Sequence, residues 1–167
     1  MSHYCGIDLH SNNHFVVVID EDDKRVLEKR LDNDLSLTLE TLSPFRESLH
    51  GIAVESTFNW YWLVDGLMQH GFKVKLANPA RFEKYNDLKY ADDKTDTFFM
   101  TEMERLNILP TGYIYPREER PVRDLIFYVP LVANCQENNR SATTYCACIF
   151  MWNQLGSEHF LPYFYLL

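Results

Sequence analysis

The stretch Tyr4-Cys5-Gly6-Ile7-Asp8-Leu9-His10 is a short apolar run that delivers one carboxylate, Asp8, at its end. A buried strand that stops at an acid holds it where open α/β sheets present ligands, beyond the carboxyl ends of the strands. The runs that follow fit the start of such a sheet. Asn13 to Asp20 is β-branched, Asp20 to Asp23 is a polar turn, and Arg25 to Leu31 alternates in character, which predicts a three-stranded meander. Asn33 or Asp34 is placed to cap a helix with Leu35, Leu39, Leu42 and Phe45 at helical spacing, ending near Ser48 to Gly51.

Ile52 to Glu55 is a second buried-type strand that stops at a carboxylate, and Ser56-Thr57 is placed to cap the next helix. That helix, from about Asn59 to His70, carries Trp60, Leu63, Val64, Leu67 and Met68, and Gly71 ends it before a strand over Phe72 to Ala77. The strand-helix-strand order predicts parallel pairing. Asn78-Pro79 starts a short helix, and a longer one is expected from about Asp93 to Asn107 with Phe98, Phe99, Met103 and Leu106 as its apolar stripe. Prolines 110, 116 and 121 mark a linker, after which a helix begins at Val122.

The chain has 167 residues, enough for one domain with a real core plus a tail. Its balance is acidic, with 24 Asp and Glu against 16 Lys and Arg, which argues against a simple basic wrap around DNA and leaves local charge to decide. No signal sequence or apolar run of membrane-spanning length is visible, so a cytoplasmic protein is expected. The spacing of Cys5, Cys135, Cys146 and Cys148 suits neither a zinc ribbon nor a disulfide scaffold and reads as reduced thiols. From Val129 onward the only charged residues are Glu137, Arg140 and Glu158, and no period organises the aromatics. This tail reads as an irregular extension or as sequence read out of frame, and it must be tucked away or left prone to aggregation.

Asp8 closes the first strand and Glu55 the fourth, and in an RNase H-like sheet those two strands are neighbours. Asp93 and Asp96, three apart at a helix start, lie on one helical face. Carboxylates crowded together repel unless divalent cations compensate, and Mg²⁺ or Mn²⁺ suits an all-oxygen set. Two such ions, about 3.5 to 4 Å apart, stabilise the attacking and leaving oxygens of phosphodiester cleavage. The expected chemistry is metal-assisted DNA strand cleavage, with Asp8, Glu55, Asp93 and Asp96 as both catalytic and metal-binding residues. Arg81, Lys84, Lys89 and Lys94 are the candidate phosphate contacts, although part of that run also reads as a solvated face. Acids in a first helical turn also serve as caps, Asp92 included, and histidines near strand ends such as His10 and His14 are more often structural than ligands. Of Trp60, Tyr61 and Trp62, at most Tyr61 or Trp62 is expected to be exposed for stacking on bases.

The motifs GIDLH (6–10), IAVEST (52–57), NPARFEKY (78–85), DDKTDTFF (92–99) and ILPTGYIYPREERPVRDL (108–125) resemble, in order and spacing, the N-terminal domain of the DEDD-type insertion-sequence transposases, the insertion sequence one-ten group that includes the Piv DNA invertase. The resemblance covers about residues 3 to 127. It implies a RuvC-like, RNase H-type fold, a mixed five-stranded sheet flanked by helices, whose acidic tetrad binds Mg²⁺, and it carries over Asp8, Glu55 and Asp96. The family commonly has its fourth acid three residues beyond the position of Asp96, where this chain has Phe99; either Asp93 substitutes or the site is weakened. Family members continue through a coiled coil into a domain with a catalytic serine, act as homo-oligomers and use a guide RNA encoded by the element. The division expected here is a RuvC-like domain over 1–127 and an atypical tail over 128–167, as in a truncated or frameshifted copy inactive by itself.

Two other readings start from the same residues. A non-catalytic remnant that binds nucleic acid or an intact transposase keeps Asp8 and Glu55 equally well. An actin-like ATPase or sugar kinase also opens on Gly-Ile-Asp, but it needs glycine-rich phosphate turns, and this chain has His10 at such a place and 6 glycines in all.

Overall fold

The computed structural model describes residues 1–56, 60–78 and 93–124, and the chain divides into two compact units, Met1–Ile114 and Tyr115–Leu167. The first unit is built from β1 (His3–Leu9), β2 (Asn13–Ile19), β3 (Arg25–Asp32), α1 (Leu35–Leu42) with a 3-10 turn at Ser43–Phe45, β4 (Leu49–Glu55), α2 (Tyr61–Gln69), β5 (Val74–Ala77) and α3 (Asp93–Arg105). The five strands form one sheet in the order β3-β2-β1-β4-β5. The first three are an antiparallel meander, and β4 pairs in parallel with both β1 and β5. This is the mixed sheet expected from the sequence.

Local chemistry fixes the connections. In the β2–β3 turn the Asp20 side chain accepts hydrogen bonds from the backbone N–H groups of Asp22 and Lys24, at 3.0 and 2.9 Å. Asp34 caps α1, its carboxylate accepting from the N–H groups of Ser36 and Leu37. Trp60 occupies the cap position of α2 and makes no side-chain capping hydrogen bond, and Thr57 of the expected Ser56-Thr57 cap lies outside the described residues.

Alternation along the strands sends two different surfaces to the two faces of the sheet. Cys5, Ile7 and Leu9 of β1, Val16 and Val18 of β2, and Ile52 and Val54 of β4 pack with Trp60, Leu63, Val64 and Leu67 into the main core. Burial pushes the Cys5 thiol far up, so it packs as a small apolar group. Tyr61 and Trp62 are half-buried against the same core, so the aromatic run of α2 is packing on the α1/α2 side.

The opposite face receives α3, and its buried side differs from the expected stripe. Thr97, Met100, Thr101, Met103 and Glu104 are buried, Phe98 and Phe99 are half-buried, and Leu106 is 49% exposed. The cause lies in the strands beneath. A Cβ at Gly6 would collide with the Thr101 hydroxyl and lie 2.9 Å from the Thr97 carbonyl oxygen, and one at Gly51 would collide with the Glu104 carboxylate. Close approach over these glycines favours threonine on the helix, and Thr101 Oγ1 donates to Thr97 O at 2.7 Å. Lys75 of β5 meets the buried Glu104 carboxylate at 3.0 Å.

The start of the proline-marked linker belongs to the sheet edge. Asn78 N donates to Pro110 O at 2.9 Å, Gly112 N donates to Leu76 O at 2.7 Å, and Thr111 bridges Ala77, so this segment covers the outer edge of β5. In the second unit the described residues 115–124 hold a helical turn over 120–124, with Arg120 Nε donating to Tyr115 O at 2.9 Å and Arg123 over the Tyr115 ring. The expected boundary at 127, the tail over 128–167 with Cys135, Cys146 and Cys148, and the short helix after Asn78 lie outside the described residues.

Fully buried His14 ties β2 to α1, its Nδ1 3.1 Å from Asn33 Oδ1 and its Nε2 2.9 Å from Thr38 Oγ1. Burial lowers its pKa below 6.5, outweighing the Asn33 hydrogen bond and the nearby Asp32 carboxylate. Below 6.5 the unfolded chain therefore binds more protons at this residue than the folded one, so stability rises with pH through that window and falls as pH drops. His14→Gln is expected to flatten the pH dependence of the melting temperature just below pH 6.5, whereas the depressed carboxyls of Glu21 and Glu28 act below 4.5. Gly6→Ala is expected to cost about 1–3 kcal/mol in urea unfolding, because its Cβ meets the helix backbone.

Candidate functional site

One row of side chains crosses the sheet on the face that receives α3. Asp8 of β1 pairs with Phe15 of β2, and Phe15 pairs with Arg30 of β3. On the other side Ile7 is level with Val54, which brings the next residues, Asp8 and Glu55, side by side at the ends of neighbouring parallel strands. Neighbouring strands lie about 4.8 Å apart, so the two carboxylates start from adjacent backbone positions. Asp8 is 6% exposed, and its Oδ2 lies 3.1 Å from His10 Nε2.

The direction of α3 brings its acids toward the same place. Thr97 and Thr101 sit over Gly6 of β1, whereas Glu104 sits over Gly51, whose partner on β1 is Tyr4. The helix therefore runs against β1, and its first turn, with Asp93 and Asp96, points toward the strand ends. Lys94 marks the level independently: its Nζ lies 5.9 Å from the centre of the Phe15 ring, beside Asp8 in the row. Asp96 is half-buried, with Oδ1 shielded from solvent. Phe99 packs against the cluster that contains Ala53, Met100 and Met103, so position 99 is used for packing.

Cations flank the acids on the β3 side. Arg30 lies with its guanidinium 5.9 Å from the Phe15 ring centre, and Arg25 lies 4.2 Å from that of Phe98. Glu28 meets Lys94 at 2.8 Å and Arg25 at 3.0 Å, and these two cations hold its carboxyl below the usual range.

The profile of the DEDD transposases of the IS110 group, described as a transposase, matches residues 5–98. The chain belongs to this transposase family. The matched segment of this DEDD transposase contains Asp8, Glu55, Asp93 and Asp96. Among solved structures the transposase chain is similar to T. thermophilus RuvC in complex with a Holliday junction substrate, at TM-score 0.50 and 11% identity, covering 67% of this chain and 100% of that one. That likeness shows the RuvC-like, RNase H-type fold. No curated protein matches the chain.

The four acids predicted from the transposase sequence are distributed unevenly. Asp8 and Glu55 are side by side, Asp96 is on the helix turn directed toward them, and Asp93 is the first residue of α3. Among the described residues no group of three or more His, Cys, Asp or Glu side chains is close enough to hold a metal ion. Of the predicted phosphate contacts, Lys94 is described and exposed, whereas Arg81, Lys84 and Lys89 lie outside the described residues. His14 projects to the α1 side, away from the acids, and His10 is the histidine at Asp8. Sequence reasoning passed over the partnership of Phe15 and Arg30 with Asp8. The hairpin register carried that signal, since a meander with short turns fixes which residues share a row. No helix among the described residues is long and apolar enough to cross a membrane.

Proposed function

We propose that the unit Met1–Ile114 is the divalent-metal-dependent nuclease domain of a DNA transposase, with Asp8, Glu55 and Asp96 as its metal-binding carboxylates and Asp93 as the fourth acid. The observation that carries this reading is the levelling of Asp8 with Glu55 on one face of adjacent parallel strands, beneath the acidic first turn of α3. The donors are carboxylate oxygens, which fits Mg²⁺ or Mn²⁺ better than a softer metal. A divalent ion held there supplies positive charge to the attacking and leaving oxygens of a phosphodiester.

The chain's own residues do the positioning. Burial holds the Asp8 carboxylate, with His10 Nε2 3.1 Å from it, and the glycines under α3 set how close the helix acids come. The N-terminal end of α3 adds a partial positive charge that favours anions in its first turn. The DNA partner is supported by the transposase family and by the RuvC relative, which is seen with a Holliday junction. A second reading, a domain that binds nucleic acid without cleaving it, keeps the same pair of acids, Asp8 and Glu55.

Calorimetric titration of the full chain with Mn²⁺ separates the two. The nuclease reading expects binding by the wild type and a loss in Asp8→Asn beyond the roughly 10- to 100-fold that an outer-shell contact costs. Equal binding by both proteins, or none by the wild type, overturns it.

A further inference from the structure

We propose that Arg30 and Lys94, brought together at Phe15 from β3 and α3, form a phosphate clamp that holds a DNA strand beside the acid pair. The inference rests on the nuclease reading above and adds to it the residues that seat the strand. Three observations carry it. The first is register: Arg30, Phe15, Asp8 and Glu55 occupy one row on one face, so Arg30 starts two strands, about 10 Å, from Asp8. That span corresponds to about three nucleotides of B-form strand at 3.4 Å each.

The second is the common ring. Arg30 and Lys94 each lie 5.9 Å from the centre of Phe15, although they come from different elements. A guanidinium over an aromatic face keeps its N–H edge available for an oxyanion, and the ring restrains it before the ligand arrives. Phe15 is itself the register partner of Asp8, so the ring that both cations approach stands next to the acid in the row. Arg30 is exposed, and its Nη1 also donates to Asn13 Oδ1 at 3.2 Å, which steadies it along the row.

The third is local charge. The chain as a whole carries a net charge of −8, yet Arg25, Arg30 and Lys94 gather on this patch, where Glu28 meets Lys94 at 2.8 Å and Arg25 at 3.0 Å. A gathering of cations next to an acid pair suits a polyanion whose backbone passes from one to the other. An acidic peptide would meet the same cations but would gain nothing from Asp8 and Glu55.

Binding of a fluorescein-labelled single-stranded DNA oligonucleotide by the full chain, followed by anisotropy in EDTA from 50 to 200 mM salt, tests the clamp. Each phosphate contact contributes about 0.7 to the slope of log K against log salt. Arg30→Gln and Lys94→Gln are each expected to reduce the slope by about that amount, and Arg30→Lys to retain it. Lys29→Gln, on the opposite face of β3, is expected to leave the slope as in the wild type. An unchanged slope in Arg30→Gln, or an equal fall in Lys29→Gln, overturns the clamp while leaving the metal titration to judge the nuclease reading. Absence of DNA binding by the wild type, or binding of RNA alone, overturns it as well.

Discussion

The close approach of α3 to the β1–β4 pair is the constraint on which the rest of this domain depends. Gly6 and Gly51 leave no side chain where the helix crosses, and Ala53 adds little more. A helix seated that low brings its first turn to the level of Asp8, as the position of Lys94 over Phe15 shows. It also explains the residues on its inner side. Thr97 and Thr101 fit where leucine would not, and Glu104 is buried because Lys75 from β5 neutralises it. A larger residue at Gly6 would meet the backbone of the helix, and one at Gly51 would displace the Glu104 carboxylate.

The two faces of the sheet carry different duties. The α1/α2 face is a continuous apolar core that absorbs the aromatic run of α2 and the buried histidine of β2. The α3 face is apolar only in patches, around Met100 and Met103 and around Phe15, Val17 and Ile19. Between those patches it carries acids and cations in a defined order across the strands. Polar groups concentrate at the carboxyl ends of parallel strands, the place where open α/β sheets bind ligands.

Much of this was legible in the sequence because strands and helices with strong patterns declare themselves. The stretch Tyr4 to His10 and the run Ile52 to Glu55 read as strands that end in acids, and the order of strands and helices implies the sheet. The family motifs added the fold class. The inner face of α3 differs from the apolar stripe ending at Leu106 because apolar spacing alone does not reveal that Gly6 lies under Thr97 and Thr101 and Gly51 under Glu104. The cap position of α2 is Trp60, whose side chain carries no capping signal for the sequence to show. The row from Arg30 to Glu55 stayed hidden because it depends on the register of four strands, which no single motif encodes.

The central claim is that a divalent ion sits between the ends of β1 and β4 and the first turn of α3. Paramagnetic broadening of backbone amide signals by substoichiometric Mn²⁺ locates such an ion directly. The account predicts selective loss of the signals of Leu9, Ser56 and Thr95, with those of Glu21 and Asp22 in the acidic turn retained. Broadening centred on that turn, or spread evenly over the chain's carboxylates, would contradict it.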